Sequence, residues 1–299
     1  MNPSRLPLPA LLAALCVATA VAPAMAAPPA PNAVVEAVQA PAWVVRNGSK
    51  MALSPGQQLH NRDRIVTGEG ARALVQLGDG SAVKVGENGD VKINALGRKE
   101  NKVFTAALDV AAGAFRLTTD VFQRTRQQRA INVRVSTITA GIRGTDIWGK
   151  SDAERDLICL LEGKITVTHP QGEPQLLSEA SSFYYALKGQ PPAEVGRVDA
   201  DELARWATQT EIQSGSGASR SGGKWKVILG TAPTQGEAFA LIDRSRAAGF
   251  ATRVKPVKAE GGYAYEVRLD QLPSAEEASA AAQRVKAALD LAELPQVAP

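Results

Sequence analysis

The chain has 299 residues, with 34 Lys and Arg against 30 Asp and Glu, a formal charge of +4, and 5% aromatic residues beside 26 Gly and 18 Pro. So small a surplus over so long a chain excludes the concentrated basic surface of a nucleic-acid-binding protein. The length suits two modest domains, and frequent Gly and Pro with few aromatics favour a turn-rich β protein.

The first segment is an address rather than structure. Arg5 supplies a positive start, residues 8–21 are apolar, and Ala24-Met25-Ala26 is a small-residue cleavage site. The expectation is a signal peptide over 1–26, export, and a mature chain with no integral membrane span. Residues 27–41 are rich in Pro and Ala and read as a flexible leader. Cleavage leaves one cysteine, Cys159, inside the apolar run Leu157-Ile158-Cys159-Leu160-Leu161. A lone cysteine forms no internal disulfide, and this one is expected to act as a small buried hydrophobe.

Strand signals begin at Trp43-Val44-Val45 and turn at Asn47-Gly48. From Gly56 to Ile93 the chain alternates apolar and polar residues. Ala73, Val75 and Leu77 alternate with Arg72 and Gln76, Val83 and Val85 flank Lys84, and Val91 and Ile93 flank Lys92. A period of two marks strands with one buried face. Gly68-Glu69-Gly70, Gly78-Asp79-Gly80 and Glu87-Asn88-Gly89-Asp90 interrupt them, and Asp79-Gly80 and Asn88-Gly89 suit hairpin turns. Residues 103–110 and 113–118 read as a strand pair joined at Ala111-Ala112. Residues 121–129 carry Arg124, Arg126 and Arg129 without apolar alternation and read as a basic surface loop. Strand patterns resume over 133–150 and 157–187, giving an all-β domain. Residues 198–212 form an amphipathic pattern capped by Asp199 or Asp201, a helix expected to pack back on the β domain through Trp206.

Residues 214–223, Ser-Gly-Ser-Gly-Ala-Ser-Arg-Ser-Gly-Gly, read as a flexible linker. Beyond it the grammar changes. Strands at 225–229, 251–257 and 263–269 alternate with helices at 234–248 and from Ser274 to Leu289, the second with Glu277 in the capping-box position. A short strand near Pro295-Gln296-Val297 completes a β-α-β-β-α-β order, a ferredoxin-like four-stranded antiparallel sheet with two helices. The expected organisation is a signal peptide over 1–26, a leader over 27–41, a β domain with its terminal helix over 42–213, a linker over 214–223 and an α+β domain over 224–299.

No catalytic constellation accompanies this architecture. His60 and His169 are the only histidines; neither lies at metal-ligand spacing from another ligand type, and both are expected at the surface. G-x-S-x-G, P-loop and H-E-x-x-H motifs are missing. The expectation is a protein that is not an enzyme and uses no cofactor or metal.

Two resemblances sharpen the reading. Asp63-Arg64-Ile65-Val66-Thr67-Gly68, Gly70-Ala71-Arg72-Ala73, Asp79-Gly80-Ser81 and the Gly141-Ile142-Arg143-Gly144-Thr145-Asp146 block resemble a FecR domain, a family named for a periplasmic iron-dicitrate sensor. Gly144 is expected to supply a special backbone angle, and Arg143 and Asp146 a local ion pair. Trp225-Lys226-Val227-Ile228-Leu229-Gly230, Leu241 through Gly249, and Tyr265-Glu266-Val267-Arg268-Leu269 resemble a SPOR domain, a septal module that binds peptidoglycan glycan strands stripped of stem peptides. The chain departs from that family's pattern at Ile228, where Gln is usual, near Ala232, where an aromatic is usual, and at Glu266, where Arg is usual.

The resemblance implies a glycan-binding face opposite the helices. By strand alternation Val227, Leu229, Tyr265, Val267 and Leu269 belong to the helix side, and Lys226, Ile228, Arg253, Lys255, Glu266 and Arg268 to the open face. Lys and Arg there would pair with the lactyl carboxylates of denuded glycan, Arg bidentately. The implied function is a non-enzymatic protein in the periplasm of a Gram-negative bacterium. It would bind denuded glycan strands through the SPOR-like domain and meet another envelope protein, or sense a signal, through the FecR-like domain. Two alternatives are a FecR-type signal relay in transmembrane or iron-transport signalling, and a purely structural envelope protein. The relay class has a membrane helix before its FecR domain, where this chain has a signal peptide.

Overall fold

Apolar alternation along the first half produces many short strands that cannot bury their faces singly, so they stack as two layers. The computed structural model describes residues 31–98, 103–119 and 128–299; the expected signal peptide lies outside the described residues, as do Arg124 and Arg126. The strands of the first half are β1 (Ala33–Gln39), β2 (Ala42–Arg46), β3 (Ser49–Ala52), β4 (Arg64–Thr67), β5 (Arg72–Leu77), β6 (Ala82–Val85), β7 (Asp90–Arg98) and β8 (Phe104–Thr118). They continue as β9 (Arg129–Val135), β10 (Ile138–Ile142), β11 (Asp146–Ser151), β12 (Arg155–Glu162), β13 (Ile165–His169), β14 (Gly172–Leu177), β15 (Ser182–Leu187) and β16 (Gly196–Arg197). Helix α1 (Ala200–Thr208) and β17 (Ala218–Arg220) follow. The second half is β18 (Trp225–Ala232), α2 (Gln235–Ala247), β19 (Arg253–Ala259), β20 (Gly262–Leu272), α3 (Ala275–Leu289) and β21 (Gln296–Ala298).

One layer runs β17-β1-β5-β6-β8-β11-β12-β15-β16, all antiparallel. The other runs β3-β2-β4-β7-β8-β9-β10-β13-β14, antiparallel except for the parallel β8–β9 pair. Strand β8 belongs to both. Its first half pairs with β7 and β9, and its second half with β6 and β11. The expected pair joined at Ala111-Ala112 is thus one bent strand, and Gly113 at φ +80° makes the bend. A single apolar core drawn from the inner faces of both layers holds them together, from Val35 and Leu77 to Ile131 and Leu160.

The sandwich corrects several local expectations. Only β5–β6 is a hairpin across Asp79-Gly80. The Asn88-Gly89 turn carries the chain from β6 in one layer to β7 in the other, so it is a corner with Asn88 at φ +50°. Residues 33–39 are not a leader: β1 pairs β5 on one side and β17 on the other, with Ala33, Val35 and Ala37 fully buried. A bulge between Val35 and Ala37 breaks the period of two in β1, so the sandwich core takes Ala33, Val35 and then Val38. Asp146 pairs bidentately with Arg116, at 3.0 Å from Nε and 2.7 Å from Nη2, while Arg143 is exposed. Gly144 does hold a left-handed φ of +73°. Arg129 opens β9 and forms an ion pair with the buried Asp79 at 2.8 Å instead of sitting in a surface loop. His169 is buried at 8% exposure, its Nδ1 accepting from the Gln171 N–H, whereas His60 is exposed.

On the outer side of the first layer, α1 covers a second apolar cluster of Ala114, Trp148, Leu157 and Cys159. Asp199 caps the helix by accepting from the Glu202 N–H, and the Trp206 ring stacks on Trp148 at 5.0 Å between centroids. Cys159 lies in this cluster, fully buried, and burial pushes its thiol up to about 12. It is a packing residue and not a nucleophile.

Two carboxylates are locked inside the sandwich. Asp63 accepts from Arg46 Nε and Nη2 at 2.8 and 2.7 Å and from the His60 N–H. Asp156 accepts from Thr137, Ser151 and Lys188. Burial pushes both carboxyls up, but these donors outweigh it and hold both below the ordinary carboxylate range. A depressed folded pKa contributes stability that is present above the unfolded value, near pH 4, and is lost as pH falls through the folded value. Urea unfolding free energy is therefore expected to hold from pH 7 to about pH 5 and to fall steeply below about pH 4. Asp63→Asn should flatten part of that slope, and an unchanged slope would remove Asp63 from the account.

The segment 214–223, expected as a flexible linker, is built into the molecule. Residues 31–299 cluster as one compact unit. Within the segment, β17 pairs with β1 in the register Ala37–Arg220, Val38–Ser219 and Gln39–Ala218. The Glu277 carboxylate, in the first turn of α3, accepts from the N–H groups of Gly215, Gly217 and Ala218 at 2.8, 2.7 and 2.9 Å. Ser274 caps α3 by accepting from the Glu277 N–H, but the Glu277 side chain does not close the box. Further bonds join the halves. Arg284 donates to the Ala40 and Gly70 carbonyls at 3.0 and 3.1 Å, and Trp43 Nε1 to the Ala247 carbonyl at 3.2 Å. Ala40 itself enters the apolar cluster of the second half beside Phe250, Leu269 and Leu272.

Candidate functional site on the C-terminal sheet

The C-terminal sheet has the order β19-β20-β18-β21, with all neighbours antiparallel. Alternation assigns its faces as expected from the sequence: Val227, Leu229, Val254, Tyr265, Val267 and Leu269 enter the clusters that α2 and α3 cover. Helix α2 is capped by the Thr234 hydroxyl accepting from the Glu237 N–H and buries Ala238, Ile242 and Ser245. Among the described residues no helix covers the opposite face.

Across that open face the register sets Arg253 beside Arg268, Arg268 beside Ile228, and Ile228 beside Gln296. The next row sets Lys255 beside Glu266 and Glu266 beside Thr231. All six sequence-predicted residues therefore lie on or next to one surface, but they are not equivalent. Arg268 is held between two carboxylates, with Nη1 3.3 Å from Glu266 and Nε 2.8 Å from Asp270. Lys226 Nζ donates to the Pro299 oxygen. Arg253 and Lys255 are exposed and, among the described residues, have no ion-pair partner. The face carries Lys226, Arg253, Lys255 and Arg268 against Glu266 and Asp270.

Two further residues share this surface, Thr231 and Asp270, and alternation alone misses the first. A register shift between Ile228 and Gly230 places two consecutive residues, Leu229 and Gly230, on the helix side, so Thr231 joins the open face out of phase with Ile228. A bulge inverts the parity of everything beyond it, and no residue type announces this one. The same shift sends Ala232 to the helix-side cluster. Asp270 was legible, because it continues the Glu266, Arg268 alternation.

Family models match at two places: FecR protein over residues 63–166 and SPOR domain over residues 208–292. The chain carries a FecR domain followed by a SPOR domain. Both are non-catalytic binding or signalling families, and the SPOR domain is associated with peptidoglycan, which marks a cell-envelope protein. The SPOR match begins inside α1, so it includes β17 and the segment that Glu277 holds. No curated protein matches the chain. Two crystal structures of a candidate anti-sigma factor from Parabacteroides distasonis ATCC 8503 are similar to it. One is 14% identical with a TM-score of 0.39, covering 76% of this chain and 92% of that one. The other is 13% identical with a TM-score of 0.39, covering 78% and 96%. Among the described residues no helix is long and apolar enough to cross a membrane, and no group of three His, Cys, Asp or Glu side chains could hold a metal ion.

Proposed function

We propose that this protein is a non-enzymatic envelope protein, exported to the periplasm of a Gram-negative bacterium, that holds denuded peptidoglycan glycan strands on the open face of its SPOR sheet. The FecR domain serves as the protein-interaction or sensing module. One observation carries the reading: Arg253 and Lys255 stand exposed on edge strand β19 and, among the described residues, unpaired, beside an Arg268 already neutralised by Glu266 and Asp270. A glycan strand stripped of stem peptides exposes a lactyl carboxylate on every second sugar, and an unpaired guanidinium can accept such a carboxylate bidentately. Arg268 then acts as a scaffold that keeps the face flat, and Arg253 and Lys255 make the contacts. Ile228, in the centre of the row, offers an apolar surface where an amide would hydrogen-bond.

Co-sedimentation of the mature protein with sacculi should increase when an amidase has removed the stem peptides. Arg253→Gln with Lys255→Gln is expected to cut retention about tenfold, the loss of two exposed contacts at about 0.7 kcal/mol each, and raised salt should do the same. Ile228→Gln should raise retention. Equal retention on treated and untreated sacculi, or none on either, would sink the glycan reading.

A further inference from the structure

The FecR domain has an open cleft of about 970 Å³ on the outer face of its second layer, built by β2, β4, β7, β8 and β9, and none of its lining residues belongs to the SPOR sheet. The sandwich core does not use this face. The register aligns a row of charge across it: Arg64 on β4 beside Lys92 on β7, Lys92 beside Asp109 on β8, and Asp109 beside Arg134 on β9.

The two arginines are held in the same way. Arg64 presents Nε and Nη2 to the two oxygens of Asp90. Arg134 presents Nε and Nη2 to Asp109, which also accepts from Asn94. Each guanidinium is fixed along one edge, and its Nη1 group makes no hydrogen bond among the described residues. Such a pre-set fork costs little ordering entropy when it takes up a second carboxylate. Arg62 and Lys92 also line the cleft and, among the described residues, have no ion-pair partner. Four cations face two carboxylates, so the cleft has a net positive charge, and its natural occupant is anionic.

The spacing narrows the choice. β4 and β9 are three strand positions apart, about 14 Å at ~4.8 Å per strand. Extended polypeptide rises about 3.4 Å per residue, so side chains four residues apart lie about 14 Å apart and on the same side. We infer that the cleft is a docking surface for an extended acidic segment of a partner protein, with carboxylates at positions i and i+4 meeting Arg64 and Arg134 and Lys92 lying between. The segment crosses the strands face-on through its side chains and adds no strand to an edge.

The test uses the purified mature chain and labelled ten-residue peptides read by fluorescence anisotropy. One peptide carries two aspartates four residues apart on a Ser/Thr/Val background; the second has the same composition with the aspartates adjacent. The spaced peptide should bind at least fivefold more tightly. Arg64→Gln with Arg134→Gln should weaken it about tenfold, and Lys92→Gln, which breaks no ion pair, a few-fold with an unchanged melting temperature. Equal affinity for the two peptides, or no binding of either, overturns the proposal. Tighter binding of polygalacturonate, or of phosphatidylglycerol vesicles, than of the spaced peptide would assign the cleft to a polysaccharide or a membrane and overturn it as well. The sacculus experiment does not involve these residues, so either reading can fail alone.

Discussion

Glu277→Ala should loosen the segment that joins the FecR domain to the SPOR domain and cost the chain roughly 2–6 kcal/mol. Glu277 is 9% exposed, and its carboxylate accepts from the N–H groups of Gly215, Gly217 and Ala218. The bonds at Gly217 and Ala218 are buried. Alanine leaves those two donors with neither a protein acceptor nor water, and each such orphan costs about 1–3 kcal/mol. The loss is local to the junction, so its readout is specific. Residues 214–223 should become the first site of limited proteolysis, and the β1–β17 pairing should lose amide-exchange protection. Glu277→Gln keeps one acceptor oxygen and should lose less. An alanine variant with the parent's melting temperature and no new cleavage would mean that the β1–β17 ladder and the Arg284 and Trp43 bonds secure the junction without Glu277.

Gly113→Ala should be comparably severe, for a different reason. Gly113 sits at φ +80° where β8 passes from one layer to the other, and a Cβ there would lie 2.5 Å from Gly89 Cα and 2.9 Å from Gly89 N. Left-handed backbone costs a non-glycine residue about 1–2 kcal/mol. The backbone collision adds about 1–3 kcal/mol as an overpacking penalty, because both partners are main chain and neither can rotate away. A total of roughly 2–5 kcal/mol should lower the melting temperature by several degrees or more. A melt within one degree of the parent would show that the bend can be made without glycine. Gly144, at φ +73° with open space around it, carries the conformational penalty alone, so the comparison of the two alanine variants separates strain from collision.

The local grammar of this chain was legible because it depends on neighbours in sequence. The alternation of Val83, Lys84 and Val85, or of Glu266, Val267 and Arg268, fixes which side chains share a face whatever the strand pairs with. Thr234 and Ser274 act as helix caps through bonds that span three residues. The order of the C-terminal elements, with two helices on one side of four strands, follows from those patterns, and so does the open face with its basic residues. Trp206 was predictable as a contact because a helix that exposes a Trp on its apolar side needs a surface to cover.

What failed depended on partners distant in the chain. β1 looked like a leader because Ala33, Val35 and Ala37 are small, and only β5 and β17 on its two sides explain why they are buried. The linker composition of 214–223 was read from its own residues, but its order comes from Glu277, about sixty residues away. Arg268 looked free on the sheet face until Asp270 and Glu266 closed on it.

The sequence by itself determined the strand-rich first half, the β-α-β-β-α-β order of the second and the helix-covered side of the SPOR sheet, because periodicity and capping act over a few residues. The tertiary structure alone decided the division of strands between two layers sharing β8, the joining of the domains into one unit, and the arginine-lined cleft. Those features require backbone and charge groups far apart in the chain to meet, and which long-range pair forms is set by the free energy of the whole packed fold rather than by any one segment.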